Sequence, residues 1–203
     1  AELSLLEFRA IEHAGTVAAL QTSHQRELSM QESRLGYALV ASLVEGHFDD
    51  KPQVAERALL LGWHPGTPYR VCSVLLDEPN PMNVKGFEKR ESFAAEVKRE
   101  LQARGASPLV SLSANQVLWL LPEAIGPDDL WVALRHPRFA MAVSQAHAGV
   151  DGMRRAGLEI AELMEHVRPG RIHHYEEMLF PRVLNGDASA QGLFLARVIK
   201  PLE

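Results

Sequence analysis

Leu28, Leu35, Leu39 and Leu43 recur at spacings of seven, four and four, while Gln25, Arg26, Gln31, Glu32 and Arg34 fall mostly outside that stripe. Such spacing puts apolar side chains on one face of an α-helix. No proline interrupts the chain from Leu3 to about Val44, so the pattern predicts a long N-terminal helix. Gly46, Asp49, Asp50 and Pro52 supply its stop. A narrow stripe on a long helix admits two readings: packing on the helix's own domain, or a parallel coiled coil between protomers.

Beyond the stop, "VAERALLLGW" predicts a short helix, and Pro65, Gly66 and Pro68 break it before a buried strand from Tyr69 to Leu76. Two acids, Asp77 and Glu78, end that strand. The loop "EPNPMN" leads to a helix whose Phe93, Val97 and Leu101 are four apart, with Gly105 placed to close it. "SPLVSLSANQVLWLLP" has the build of a β-hairpin with a tight polar turn. In "GPDDLWVALR", Pro127 suits the first helical turn and Asp128 and Asp129 suit the positive end of the helix dipole. A fourth strand, "FAMAVSQ", precedes a helix from about Val150 to Val167 and a short edge strand, "RIHHY". Two helical segments, "EEMLFPRVL" and "AQGLFLARVI", follow across the turn Asn185-Gly186-Asp187. This order contains βαββαβ and predicts an α+β fold, a ferredoxin-like antiparallel sheet with helices on one face.

Composition narrows the class. The chain has 203 residues, 46% hydrophobic and 23% charged, which suits one folded domain with additions rather than a disordered segment. Its net charge of -5, with Lys and Arg scattered, lacks the basic patch of a nucleic-acid surface. The single cysteine, Cys72, lies in the apolar run "YRVCSVLL" and reads as a core thiol in a reducing compartment. No apolar stretch nears the roughly 20 residues that span a bilayer, and no signal peptide opens the chain, so a cytoplasmic location without membrane contact is expected.

Few residues point to chemistry. His173 and His174 are adjacent, so in a strand they face opposite ways and cannot share a metal. Trp63, Trp119 and Trp131 sit in apolar runs and read as packing residues, and Arg154 and Arg155 as an exposed helical turn. Without a nucleophile elbow, Walker loop or dinucleotide fingerprint, no catalytic, metal-binding or cofactor-binding residue is assigned, and no cofactor is expected.

One constellation remains, Asp77 and Glu78 at the end of the first strand and the hairpin Ser113 to Val117 beside it in sheet order. It resembles the nucleotidyl cyclase fold of GGDEF domains, whose strand-end acid and hairpin acids hold divalent metals against a nucleotide triphosphate. In that resemblance Ser113 and Ala114 replace the two glycines, Asn115 and Gln116 the two acids, and Val117 the aromatic. Neutral amides cannot neutralise a hard dication, and the added Cβ atoms crowd a turn that glycines leave open. The resemblance thus implies a hairpin without its metal chemistry, and a chain that is not an enzyme.

From about Leu35 to Glu203 the chain is similar to the regulatory module of PucR/CdaR-type bacterial transcriptional regulators. "LVEGHFDDKPQVAERALLLGWHPGTPYRVCSVLL", "VLWLLP", "MAVSQAHAGVDGMRRAGLEIAEL" and "RIHHYEEMLFPRVL" carry that likeness. "EFRAIEHAGTVAALQ" resembles the last helix of a GAF-type sensor domain. The implied organisation is a helical linker and dimerisation segment over 1–46, a GGDEF-like regulatory domain over 47–178, and a helical connector over 179–203. A sensor upstream and a helix-turn-helix module downstream are implied as partners, with DNA reached only through that module. The expected role is signal relay in a homodimer joined along Leu28, Leu35, Leu39 and Leu43. The alternative is a sensor that binds a nucleotide or another small effector at Asp77, Glu78, Asn115 and Gln116. An active cyclase is a third reading.

Overall fold

The computed structural model describes residues 34–184 except 50, 80, 81 and 114, with 186, 188–195 and 199 beyond them and 13, 17, 18, 20, 21, 23 and 24 upstream. Leu28 and most of the expected N-terminal helix lie outside these residues. The chain divides into two units, Ala1–Gly36 and Tyr37–Glu203. In the first, the described residues are helical.

The second unit begins with helical residues 37–45 (α1). It continues through α2 (Pro52–Leu60), β1 (Tyr69–Leu75), α3 (Val84–Ala103), β2 (Val110–Ser113), β3 (Gln116–Pro122) and α4 (Pro127–Leu134). Then come β4 (Ala140–Val143), α5 (Gly149–Met164), β5 (Ile172–His174), a 3-10 turn (Tyr175–Met178), α6 (Leu179–Leu184) and α7 (Ala188–Phe194). Local chemistry explains the boundaries. Asn83 caps α3 by accepting a hydrogen bond from the Gly86 N–H at 2.7 Å, and Gly105 follows its end with φ +74. Proline opens both α2 and α4.

The five strands form one sheet in the order β2-β3-β1-β4-β5. All neighbours are antiparallel except β4 and β5, which run parallel through the crossover α5. Strands β4, β1, β3 and β2 are therefore the ferredoxin-like core in its expected order, and β5 extends it at one edge.

The helices, however, cover both faces rather than the single face expected. On one face Cys72, Val74, Val117, Trp119 and Met141 pack in a cluster with Phe93, Val97 and Leu101 of α3 and with Leu130 and Leu134 of α4. On the other, Tyr69, Val71, Leu120 and Ala142 join Leu39, Val40 and Leu43 of α1 and Met153, Ile160 and Leu163 of α5. A strand buried on both faces reads as a continuous apolar run rather than an alternation. Strand β4, "AMAV", is buried at all four positions. Residues 37–46, assigned from the sequence to the linker, thus contribute to this core.

A buried polar node ties α5 to the segment after β4. Glu159, 7% exposed, accepts a hydrogen bond from the Gln145 N–H at 2.8 Å and lies 2.9 Å from Nε2 of His147. In the same segment the Ser144 hydroxyl accepts from the Val71 N–H and donates to the Gln145 carbonyl, each at 2.8 Å. Every one of these partners is a group that burial would otherwise leave unpaired at a cost.

Candidate functional site

Pairing of β1 with β3 brings the end of the first strand beside the hairpin, with Leu75 opposite Gln116. Asp77, Glu78, Asn115 and Gln116 are thus assembled at one place, as the sequence resemblance implies. The chain turns sharply there, because Asp77 adopts φ +46, a left-handed conformation that Asp tolerates better than most residues.

The two amides work as ties. Asn115 accepts through its backbone carbonyl from the Leu76 N–H at 3.1 Å and through Oδ1 from the Glu78 N–H at 3.3 Å. It continues the β1–β3 ladder past the strand end and caps the turn. Gln116 Oε1 accepts from the buried hydroxyl of Ser73 at 3.4 Å. Both side-chain oxygens are therefore committed to the protein itself.

A residue that the sequence reading missed completes the arrangement. Lys89, in α3, donates from Nζ to the Leu76 carbonyl at 3.1 Å and to Glu78 Oε2 at 3.3 Å. Its ammonium also lies 5.6 Å from the ring centroid of Phe139. The side chains of Lys89 and Glu78 are 27% and 20% exposed, so the pair is shielded enough for the charges to matter to each other. Lys89 sits four residues before Phe93, on the stripe continued by Val97 and Leu101. That phase points a cation at the strand end, and was the signal available.

Chemically, one carboxylate is neutralised by an internal ammonium, one amide is engaged with backbone, and Asp77 is exposed. A divalent cation needs several free anionic or carbonyl oxygens. Here the Leu76 carbonyl and Glu78 already hold a cation, the Lys89 ammonium. Among the described residues no group of three or more His, Cys, Asp and Glu side chains is arranged to hold a metal ion. His173 is buried and accepts from the Arg168 N–H at 3.0 Å, whereas His174 lies 3.4 Å from Asp128. Cys72 is fully buried, and burial pushes its thiol well above the usual range. Trp63, Trp119 and Trp131 are all core residues, and Arg154 and Arg155 are exposed.

The leucine stripe separates by burial. Leu39 and Leu43 are 8% and 0% exposed inside the second unit, and only Leu35, at 44%, remains open among its described members. Leu39 and Leu43 are thus packed on their own domain, the first of the two readings of the stripe. No helix among the described residues is long and apolar enough to cross a membrane.

Comparison with known proteins gives a consistent picture of the fold. A family model described as a GGDEF-like domain matches residues 45–159. Among solved structures, the chain is similar to a regulator of polyketide synthase expression from Bifidobacterium adolescentis, with 17% identity and a TM-score of 0.52. The match covers 81% of this chain and 64% of that one. Comparison with curated proteins gave no match.

Proposed function

Because the chain belongs to the family of GGDEF-like domains, we propose that it is a non-catalytic regulatory segment of a bacterial transcriptional regulator of the PucR/CdaR type. It relays a signal between an upstream sensor and a downstream DNA-binding module, in the cytoplasm and as a homodimer. It uses no cofactor and reaches DNA only through that module. The observation that carries this reading is the closed strand end: Lys89 pairs Glu78, and Asn115 spends its side-chain oxygen on the Glu78 N–H. Phosphoryl transfer from a nucleotide triphosphate depends on metal ions and free carboxylates at that point. The solved regulator from Bifidobacterium adolescentis supports the regulatory context through its shared fold.

Incubation of the purified chain with GTP and Mg²⁺ or Mn²⁺ tests the proposal. No cyclic dinucleotide should form above a no-enzyme control, and turnover above that control would overturn it. Binding of a nucleotide at Asp77, Glu78, Asn115 and Gln116 is the less supported reading, because three of these four side chains are already hydrogen-bonded or ion-paired within the protein.

A further inference from the structure

On the sheet face opposite α3, a cleft of about 430 Å³ lies between α1, the β2–β3 hairpin and α5. That volume falls within the range of small-molecule sites. Its helical walls are apolar, with Val40 and Val44 from α1 and Ile160 and Met164 from α5. Its hairpin wall is polar, with the hydroxyls of Ser111 and Ser113 and the amide of Gln116. Ser111 is 5% exposed, so the fold has placed a hydroxyl at the base of the cleft, whose lining is about evenly polar and apolar. Convergent polar groups facing apolar walls are a build that ligand sites use, in which the polar groups orient what the apolar ones hold.

Charge decides the class of ligand. Glu45 is the one charged side chain in the lining, and no Lys or Arg contributes to it among the described residues. An anion entering such a cleft would lose hydration with no cation to compensate, and would meet the Glu45 carboxylate at its edge. An ammonium or hydroxyl group would instead find acceptors in Glu45 and the two serines. We infer that this cleft binds a small amphipathic molecule, with an apolar side for the helical walls and a neutral or cationic hydrogen-bond donor for the hairpin wall, and discriminates against carboxylates and phosphates. The cleft shares Gln116 with the candidate strand-end surface but neither Asp77 nor Glu78, and the inference holds whether or not the chain acts as a relay. Its occupant would touch α1 and the hairpin together, the two elements that join the start of the unit to the closed strand end.

Amide chemical-shift mapping on the whole 203-residue chain tests it, with phenethylamine as the probe and phenylacetate, of matched shape and opposite charge, as the comparison. Millimolar phenethylamine should shift the amides of Ser111, Ser113, Gln116 and Ile160 in a saturable way, and phenylacetate should bind at least about tenfold more weakly. Ala161→Trp fills the cleft from an exposed position on α5, and Ala41→Phe fills it independently from α1. Either substitution, in protein whose spectrum remains dispersed, should abolish the saturable shifts. The inference is overturned if phenethylamine produces no saturable shifts at those amides, if phenylacetate binds equally well, or if the shifts persist in the filled variants.

Discussion

Tyr37 shows how one side chain can hold a helix to its domain and record pH while doing so. Its hydroxyl donates to Glu91 Oε2 at 3.3 Å and accepts from Lys98 Nζ at 3.3 Å, which joins α1 to α3. Burial, reinforced by the Glu91 charge and hydrogen bond, pushes its phenol up to about 12 from the ordinary 10.0. The folded state therefore prefers the neutral phenol, and the resulting stability is complete below the unfolded value and fades as pH rises through the folded one. Denaturant midpoints should thus fall between about pH 10 and pH 12, and Tyr37→Phe should flatten that decline. A wild-type midpoint that stays constant across the window, or an unchanged decline in the variant, would contradict the assignment. Lys89 teaches a different lesson at the same scale. Its phase on the Phe93, Val97 and Leu101 stripe was visible in the sequence, but only the packing of α3 against the sheet shows that the stripe ends at Glu78.

Among the elements, the hairpin and the α3 stripe were legible because each follows a local period: turn chemistry in one case, spacings of four in the other. The two-faced sheet was harder to read. The run "FAMAV" does carry the unbroken hydrophobicity of a strand buried on both sides, and "VCSVLL" is interrupted only by Ser73, yet period alone does not say which helices supply the second layer. That depends on Gly157, whose lack of a side chain lets α5 approach α1 closely. A Cβ there would fall inside contact distance of the Val44 carbonyl oxygen and 2.7 Å from Val44 Cγ1. Gly157→Ala sets two effects against each other. Helix propensity favours alanine by about 1 kcal/mol, while overpacking costs about 1–3 kcal/mol. A clash with backbone cannot be relieved by a rotamer change, so the substitution should lower the unfolding free energy by about 1 kcal/mol. Chemical denaturation would show it, and a neutral or stabilised variant would mean that α1 gives way more easily than this packing implies.

For the whole molecule, the question is what the first helix does outside its own fold. Leu39 and Leu43 are occupied by their domain's core, so Leu39→Glu would report on folding rather than on association. Leu35 is exposed and offers the cleaner probe. In the proposed homodimer, Leu35→Glu should shift the sedimentation of the chain from dimer to monomer at micromolar concentration while leaving the melting of the monomer unit unchanged. A wild-type chain that is already monomeric there would count against the dimer. At the strand end, the Lys89 ammonium engages the Leu76 carbonyl and Glu78, and the Glu78 N–H engages the Asn115 side-chain oxygen, so these oxygens are already occupied. Calorimetric titration of the chain with Mn²⁺ tests that occupancy directly. No saturable heat should appear, and a one-site isotherm abolished by Asp77→Ala and Glu78→Ala would contradict the closed strand end.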